Sequence, residues 1–295
     1  MKSIFSLSRK PWSFTVLFLL SWIISNILIS NLLFFALHLN HPSQIPSPWV
    51  PVLSHILTIF FIAPFVLGFS GKQFSYREFL SEIRLTRMKP FIQLFLLGLT
   101  CYLIMALSQA AGVMVYRLSQ GQLIGWSFMR YAFVLSSELP PHSDSWLQSI
   151  LSIFEEITFR GVILAIFLRF YSKSKAILFS SIIFGLMHIL TILDGRPPVW
   201  TAGQVLWAAI LGLFYGYVTI KSNSLLPAIM VHYLSNLFVA AINAYLQNNA
   251  SIPIQAIYGV IFTFGIVPSF LMILWTRFFA NRWLNYQKTE IDKTG

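Results

Sequence analysis

Glu155, Glu156 and Arg160, then His188, then His232 with Asn236, stand inside long apolar runs of this 295-residue chain. An ionisable group among apolar helices is costly unless paired or hydrated, so each is a functional hypothesis. Glu156 and Arg160 are four residues apart with the carboxylate first, the spacing of a pair along one helix face. Glu155 is rotated by about 100° from Glu156 and meets Phe159 at its own i+4 position, so its partner must come from elsewhere. A carboxylate kept from bulk water suits a general base working near neutral pH. His232 and Asn236 also share a face, one turn apart. An imidazole and a carboxamide together can donate to a developing oxyanion or ligate a cation. Peptide hydrolysis needs a base for water, donors for the oxyanion and a proton for the leaving amine. These residues supply all three, with no Ser or Cys nucleophile in a comparable setting. The plainer reading of each motif is structural: an ion pair between helices, or interhelical hydrogen bonds.

The elements that must position these side chains are membrane helices. The chain is 57% hydrophobic and 10% charged, with a mean hydropathy of +0.73. A soluble domain carries roughly 25% charged residues, and so few charges cannot cover a water-soluble globule of this length. Apolar runs fall at about 14–39, 49–69, 91–118, 146–170, 176–193, 199–220, 225–246 and 252–275. Each can cross ~30 Å of hydrocarbon as a helix. The expected fold is therefore all-α, a polytopic membrane protein of about eight transmembrane helices. The net charge of +11 does not mark a nucleic-acid binder, because Lys and Arg lie in the short segments between apolar runs. Sixteen of the twenty fall on one side, from Lys2, Arg9 and Lys10 through Arg77, Arg169 and Lys221 to Lys293. Arg117, Arg130 and Arg196 fall on the other, and Arg160 lies within a span. By the positive-inside rule both termini are cytoplasmic. The single cysteine, Cys101, excludes an intrachain disulfide and a thiolate-rich metal site.

Depth links the polar residues. Glu155 lies about 13 Å below the outer end of an inward-running helix. His188 lies about 18 Å, and Asn236 about 16 Å, above the inner ends of outward-running ones. Three helices are thus expected to bring acid, base and amide to one level. Other polar residues read as structural. Ser21, Ser25, Asn26 and Ser30 look like packing contacts, His55, Gln109 and Gln204 like singletons, and His38, His41 and His142 like interfacial groups. Residues 70–90 read as an amphipathic interfacial helix or a solvated basic loop. Residues 119–145 form the longest outer connection.

Three motifs occur in order on separate helices: Glu155-Glu156-x-x-x-Arg160, Phe184-x-x-x-His188 and His232-x-x-x-Asn236. With Gly161, Gly185, Gly212, Gly216 and Leu225-Leu226-Pro227-Ala228, they resemble the signatures of the CAAX-processing and bacteriocin-processing (CPBP, or Abi) intramembrane endopeptidases. The resemblance covers about a third of the chain, from Trp146 to Asn243. It implies a catalytic helical core over 146–246, preceded by an N-terminal transmembrane region (1–145) and followed by a last span and tail (247–295). It implies hydrolysis of a peptide bond in a membrane-associated or lipidated substrate. Glu155 and His188 would activate water, His232 and Asn236 would stabilise the oxyanion, and Glu156 with Arg160 would brace the site. If a divalent metal such as zinc is used, Glu155, His188, His232 and Asn236 are its ligands; the alternative is metal-free, glutamate-dependent hydrolysis. The expected partners are membrane lipid and a protein or peptide substrate, prenylated or not, with no nucleic acid. The expected location is a prokaryotic plasma membrane. Two other functions fit the same helices: a non-catalytic bacteriocin-immunity or signalling protein, and a transporter. A transporter usually shows related halves, and no repeat is evident.

Overall fold

The structure, a computed structural model, describes residues 7–39, 48–69, 75–119, 144–195, 197–247 and 265–284, with Ile45 and Gly121. Every regular element among them is helical, as the apolar runs require. In chain order these are α1 (Pro11–Ala36), α2 (Trp49–Leu57), α3 (Tyr76–Glu82), α4 (Phe91–Ser119), α5 (Asp144–Glu156), α6 (Leu164–Leu168), α7 (Lys173–Met187), α8 (Pro198–Ser222), α9 (Leu226–Gln247) and α10 (Val267–Phe279). Three π-helical stretches extend them: Thr58–Val66 after α2, Ile157–Ile163 between α5 and α6, and Ala280–Leu284 after α10. A 3-10 turn, His188–Asp194, follows α7.

Local chemistry explains several of these boundaries. α1 and α8 open on Pro11 and Pro198 at their first positions, where a missing N–H costs nothing. α8 stops at Asn223, which takes a left-handed conformation at φ 55°, a backbone form that asparagine tolerates. Pro64 lies inside the π stretch after α2. It has no N–H to close an α turn, and a π turn is one way to absorb the missing bond.

Five helical stretches among the described residues are long and apolar enough to cross a membrane: Pro11–Ala36, Trp49–Val66, Phe91–Gly112, Lys173–Leu193 and Pro198–Ser222. α1 buries only Phe14, Thr15, Phe18 and Ser25, and leaves Leu28, Leu32 and Phe35 largely exposed. So wide an apolar face suits lipid. The protein is an integral membrane protein. The remaining expected spans are helical where described, as α5 through α6, α9 and α10. The first of these carries Glu155, Glu156 and Arg160 within its length.

The chain packs as two units, Met1–Arg87 with Ser143–Ala176, and Met88–His142 with Ile177–Gly295. In the first, α1 packs on α2 and its π extension, and α2 packs on α5. Phe14, Phe69 and Phe79 form an edge-to-face aromatic chain, with centroids 5.7 Å and 5.2 Å apart. Arg169 closes this region. Its Nε donates to Glu82 Oε1 at 2.7 Å, and one terminal nitrogen donates to the Phe69 carbonyl at 2.6 Å. The guanidinium also lies 4.4 Å from the Phe69 ring centre. So Arg169, expected only as an orienting charge, also ties α3 to α6. Of residues 70–90, Tyr76–Glu82 is a short helix capped by Ser75, and it buries Phe79.

In the second unit α4 packs on α9 and α10, and α8 packs on α9 and α10. Leu97, Cys101, Met105, Leu211, Phe214, Tyr215, Val231 and Met272 make its core. Glycines permit the closest approaches. A Cβ on Gly98 would stand 3.0 Å from Met230 Cβ, and one on Gly216 3.0 Å from Ile177 Cγ2. The outer connection expected over 119–145 lies mostly outside the described residues, as do His41 and His142.

Candidate active site

Glu155 and Glu156 end α5, and the helix becomes π-helical at the next residue. Glu156 and Arg160 are fully buried and pair at 3.1 Å, the i to i+4 contact their spacing predicts. All seven residues of the π stretch Ile157–Ile163 are buried. A charge in this setting is tolerated because its counter-ion is attached one turn away. Glu155 is half-buried. The two adjacent carboxylates therefore occupy different environments: Glu156 is enclosed with its cation, and Glu155 keeps exposed surface. π-Helical stretches recur at functional sites because the wider turn re-aims the residues beside it.

His188 begins the 3-10 turn after α7. The expected continuous helix through Leu193 thus tightens at this residue. The tighter form ends at Gly195, which adopts φ 78°, a conformation that glycine takes without steric penalty. Nδ1 of His188 lies 3.0 Å from the carbonyl oxygen of Phe184. A carbonyl only accepts, so Nδ1 carries the hydrogen, and in the neutral ring Nε2 carries the lone pair. The turn therefore fixes the tautomer that a base or a metal ligand needs.

His232 and Asn236 lie on α9, which is α-helical from Leu226 to Gln247, so their expected shared face holds. His232 is 7% exposed. Its ring stacks on Tyr215 (centroids 5.0 Å apart, planes 18°) and meets the Phe184 ring edge-on at 5.8 Å. His188 meets the same phenyl edge-on at 5.0 Å. Phe184 is thus the shared wall of both imidazoles, and three helices of the second unit converge there. Asn236, one turn beyond His232, is half-buried. Gly185 makes the convergence possible. A Cβ there would fall 2.6 Å from the Val205 carbonyl oxygen and 2.8 Å from Ala209 Cβ.

The residues named by the motifs thus divide between the two units. Glu155, Glu156 and Arg160 belong to the first, and His188, His232 and Asn236 to the second. A catalytic zinc takes about three protein ligands. Among the described residues no three His, Cys, Asp or Glu side chains group closely enough to hold a metal ion.

Four residues read as incidental in the sequence have a defined contact here. His55 Nδ1 is 3.1 Å from Thr158 Oγ1, inside the buried core of the first unit. Gln204 accepts from Thr191 at 3.4 Å, in the turn that follows His188. Ser21 and Asn26 bond back to carbonyls of their own helix, those of Phe18 and Trp22. Tyr215, the stacking partner of His232, gave no sequence signal beyond its place between Gly212 and Gly216. Gln109 stays a singleton: it is fully buried, and its amide makes no hydrogen bond among the described residues.

No curated protein and no solved structure matches the chain. One family model does, that of the Rce1-like proteins (type II CAAX prenyl endopeptidase Rce1-like), over residues 146–238. The matched segment begins at the Trp of α5 and ends just after Asn236, so it contains all three motifs. Residues 146–238 are thus similar to the Rce1-like (type II CAAX prenyl endopeptidase) family, in line with the grouping that the motifs resemble.

Proposed function

We propose that this protein is an intramembrane endopeptidase that hydrolyses a peptide bond of a membrane-associated protein or peptide, with a prenylated CAAX-type substrate as the leading class. On this reading Glu155 takes a proton from water, assisted by the Nε2 lone pair of His188. The hydroxide adds to the scissile carbonyl carbon, and the new oxyanion accepts hydrogen bonds from His232 and the Asn236 amide. The proton held by Glu155 then passes to the leaving nitrogen as the C–N bond breaks. One water is consumed, and the carboxylate is restored. Glu156 and Arg160 hold their helix turn without entering the reaction. The reading takes the membrane to be a prokaryotic plasma membrane and the chain to cross it eight times.

The observation that carries it is the contrast within Glu155-Glu156. Glu156 is sealed against Arg160 at 3.1 Å, whereas Glu155 is half-buried at the same helix end. A brace and a base are the two uses such a pair supports, and the family match supplies the reaction class. The defined tautomer of His188 agrees with its part.

The test is Glu155→Gln in proteoliposomes supplied with a fluorogenic CAAX peptide bearing a prenylated cysteine. The substitution keeps shape and removes the base. We expect kcat to fall by about 100-fold or more, with the protein still folded by thermal unfolding. Cleavage by the variant at the unaltered rate would falsify Glu155 as the base, whereas no cleavage by the unaltered protein would favour a non-catalytic immunity or signalling role.

A further inference from the structure

We propose that His55 is a positioning residue for the Glu155-Glu156 dipeptide, acting through Thr158 and Phe154; the inference rests on the reading of Glu155 as the catalytic base. His55 is 5% exposed and Thr158 is 3% exposed. The contact between Nδ1 and the threonine hydroxyl joins residues 103 positions apart. The other side of the imidazole is equally committed. Its plane lies nearly parallel to the Phe154 ring (17°, centroids 6.0 Å apart), and Trp22 packs on it at 5.1 Å. His55 thus touches the residue before Glu155 and the second residue after Glu156. It brackets the dipeptide.

The bracket falls where the backbone changes form. The π stretch of the motif helix starts at Ile157, and that of the neighbouring helix starts at Thr58, three residues past His55. The two π stretches pack on each other. A π turn closes its hydrogen bond at i+5 instead of i+4, so it rotates the residues on one side of it relative to those on the other. The choice between α and π at Ile157 therefore sets the direction of Glu155 relative to Arg160 and the residues beyond. Isoleucine, threonine and phenylalanine at 157–159 have no strong local preference for the wider turn. A contact from outside the helix must select it. The Thr158 hydroxyl is a polar group within that turn that meets another helix, and His55 is the residue it meets.

Burial of a histidine and a hydroxyl in an apolar interface also has a simpler use, mutual satisfaction. The two uses differ in what a substitution changes. Mutual satisfaction predicts a loss of stability alone. Positioning predicts a loss of kcat in protein that is still folded, because a displacement of about 1 Å in a reacting group costs on the order of 100-fold in rate.

Thr158→Val keeps the shape and removes the hydroxyl, and Thr158→Ser restores a hydroxyl. His55→Phe keeps the ring on Phe154 and removes the nitrogen, and His55→Asn restores a nitrogen near the Nδ1 position. In the prenylated-peptide assay we expect Thr158→Val and His55→Phe each to lower kcat by about 10- to 100-fold, with KM within about twofold. Thr158→Ser and His55→Asn should recover most of the rate. Combining Thr158→Val with His55→Phe should lower kcat no further than either alone, since both remove one contact. Hydrogen exchange of the peptide spanning 154–163 should quicken in both loss variants and not in the two rescue variants. Loss variants that fold and cleave at the unaltered rate, or effects that multiply, overturn the inference. If Glu155→Gln abolishes cleavage in the same assay while Thr158→Val does not, positioning alone has failed. If Glu155→Gln still cleaves at the unaltered rate, the reading of Glu155 as the base has failed and the inference falls with it.

Discussion

At the scale of single residues, the chemistry turns on how charge survives in a low-dielectric interior. Glu156 and Arg160 are both fully buried. Removing one member of such a pair leaves an uncompensated charge, which costs about 3–5 kcal/mol, whereas removing both can be nearly neutral. Arg160→Met should therefore lower the thermal midpoint in detergent sharply, and Glu156→Gln combined with Arg160→Met should recover much of it. Equal midpoints for the single and double variants would show that the pair does not hold this helix turn. The pairing itself was legible from the sequence, because four residues on one helix leave little choice of geometry. The same arithmetic separated Glu155 from Glu156. The part of His55 was not legible. Its partner is 103 residues away, and nothing in a lone histidine within an apolar run indicates which helix it will face.

At the scale of elements, the glycines and the non-α turns carry the information. Gly185 was expected to permit a close helix approach, and it does: an added Cβ would meet a backbone carbonyl at 2.6 Å. A backbone oxygen cannot move aside as a flexible side chain can, so Gly185→Ala must push α7 and α8 apart. Overpacking of this kind costs about 1–3 kcal/mol. We expect a lower thermal midpoint together with a loss of cleavage, because His188 begins its turn three residues later. A Gly185→Ala protein with both unchanged would mean that the two helices have slack at this point. The turns themselves were less readable. Pro64 flags a broken α ladder after α2, but the π stretch at Ile157 has no proline in it. The end of α7 at His188 was also missed, because hydropathy continues through Ile189, Leu190, Ile192 and Leu193 and says nothing of turn pitch. Gly195 was the available signal, placed where a helical stretch ends in a left-handed residue.

At the scale of the whole molecule, composition and charge placement lead to an experiment on topology. Sixteen basic residues against three across the connecting segments predict that both ends of the chain face the cytoplasm. Reporter domains fused at each end, one active only in the cytoplasm and one active only outside, should both report cytoplasm. Opposite locations for the two ends would require an odd number of crossings and overturn the expectation of eight.

By itself the sequence determined the solvent and the helical class, and it pointed to a family. Too few charges exist to face water, apolar runs of membrane length must be helical, and three motifs in order point to one family, which the match over 146–238 agrees with. Tertiary structure decided what spacing within one helix cannot encode. It set Phe184 as the common wall of His188 and His232, Tyr215 as the plate behind His232, and His55 as the clasp on the π turn beside Glu155. The reason is physical: local periodicity fixes which residues share a face, but only the packing of helices distant in sequence determines which face another helix fills.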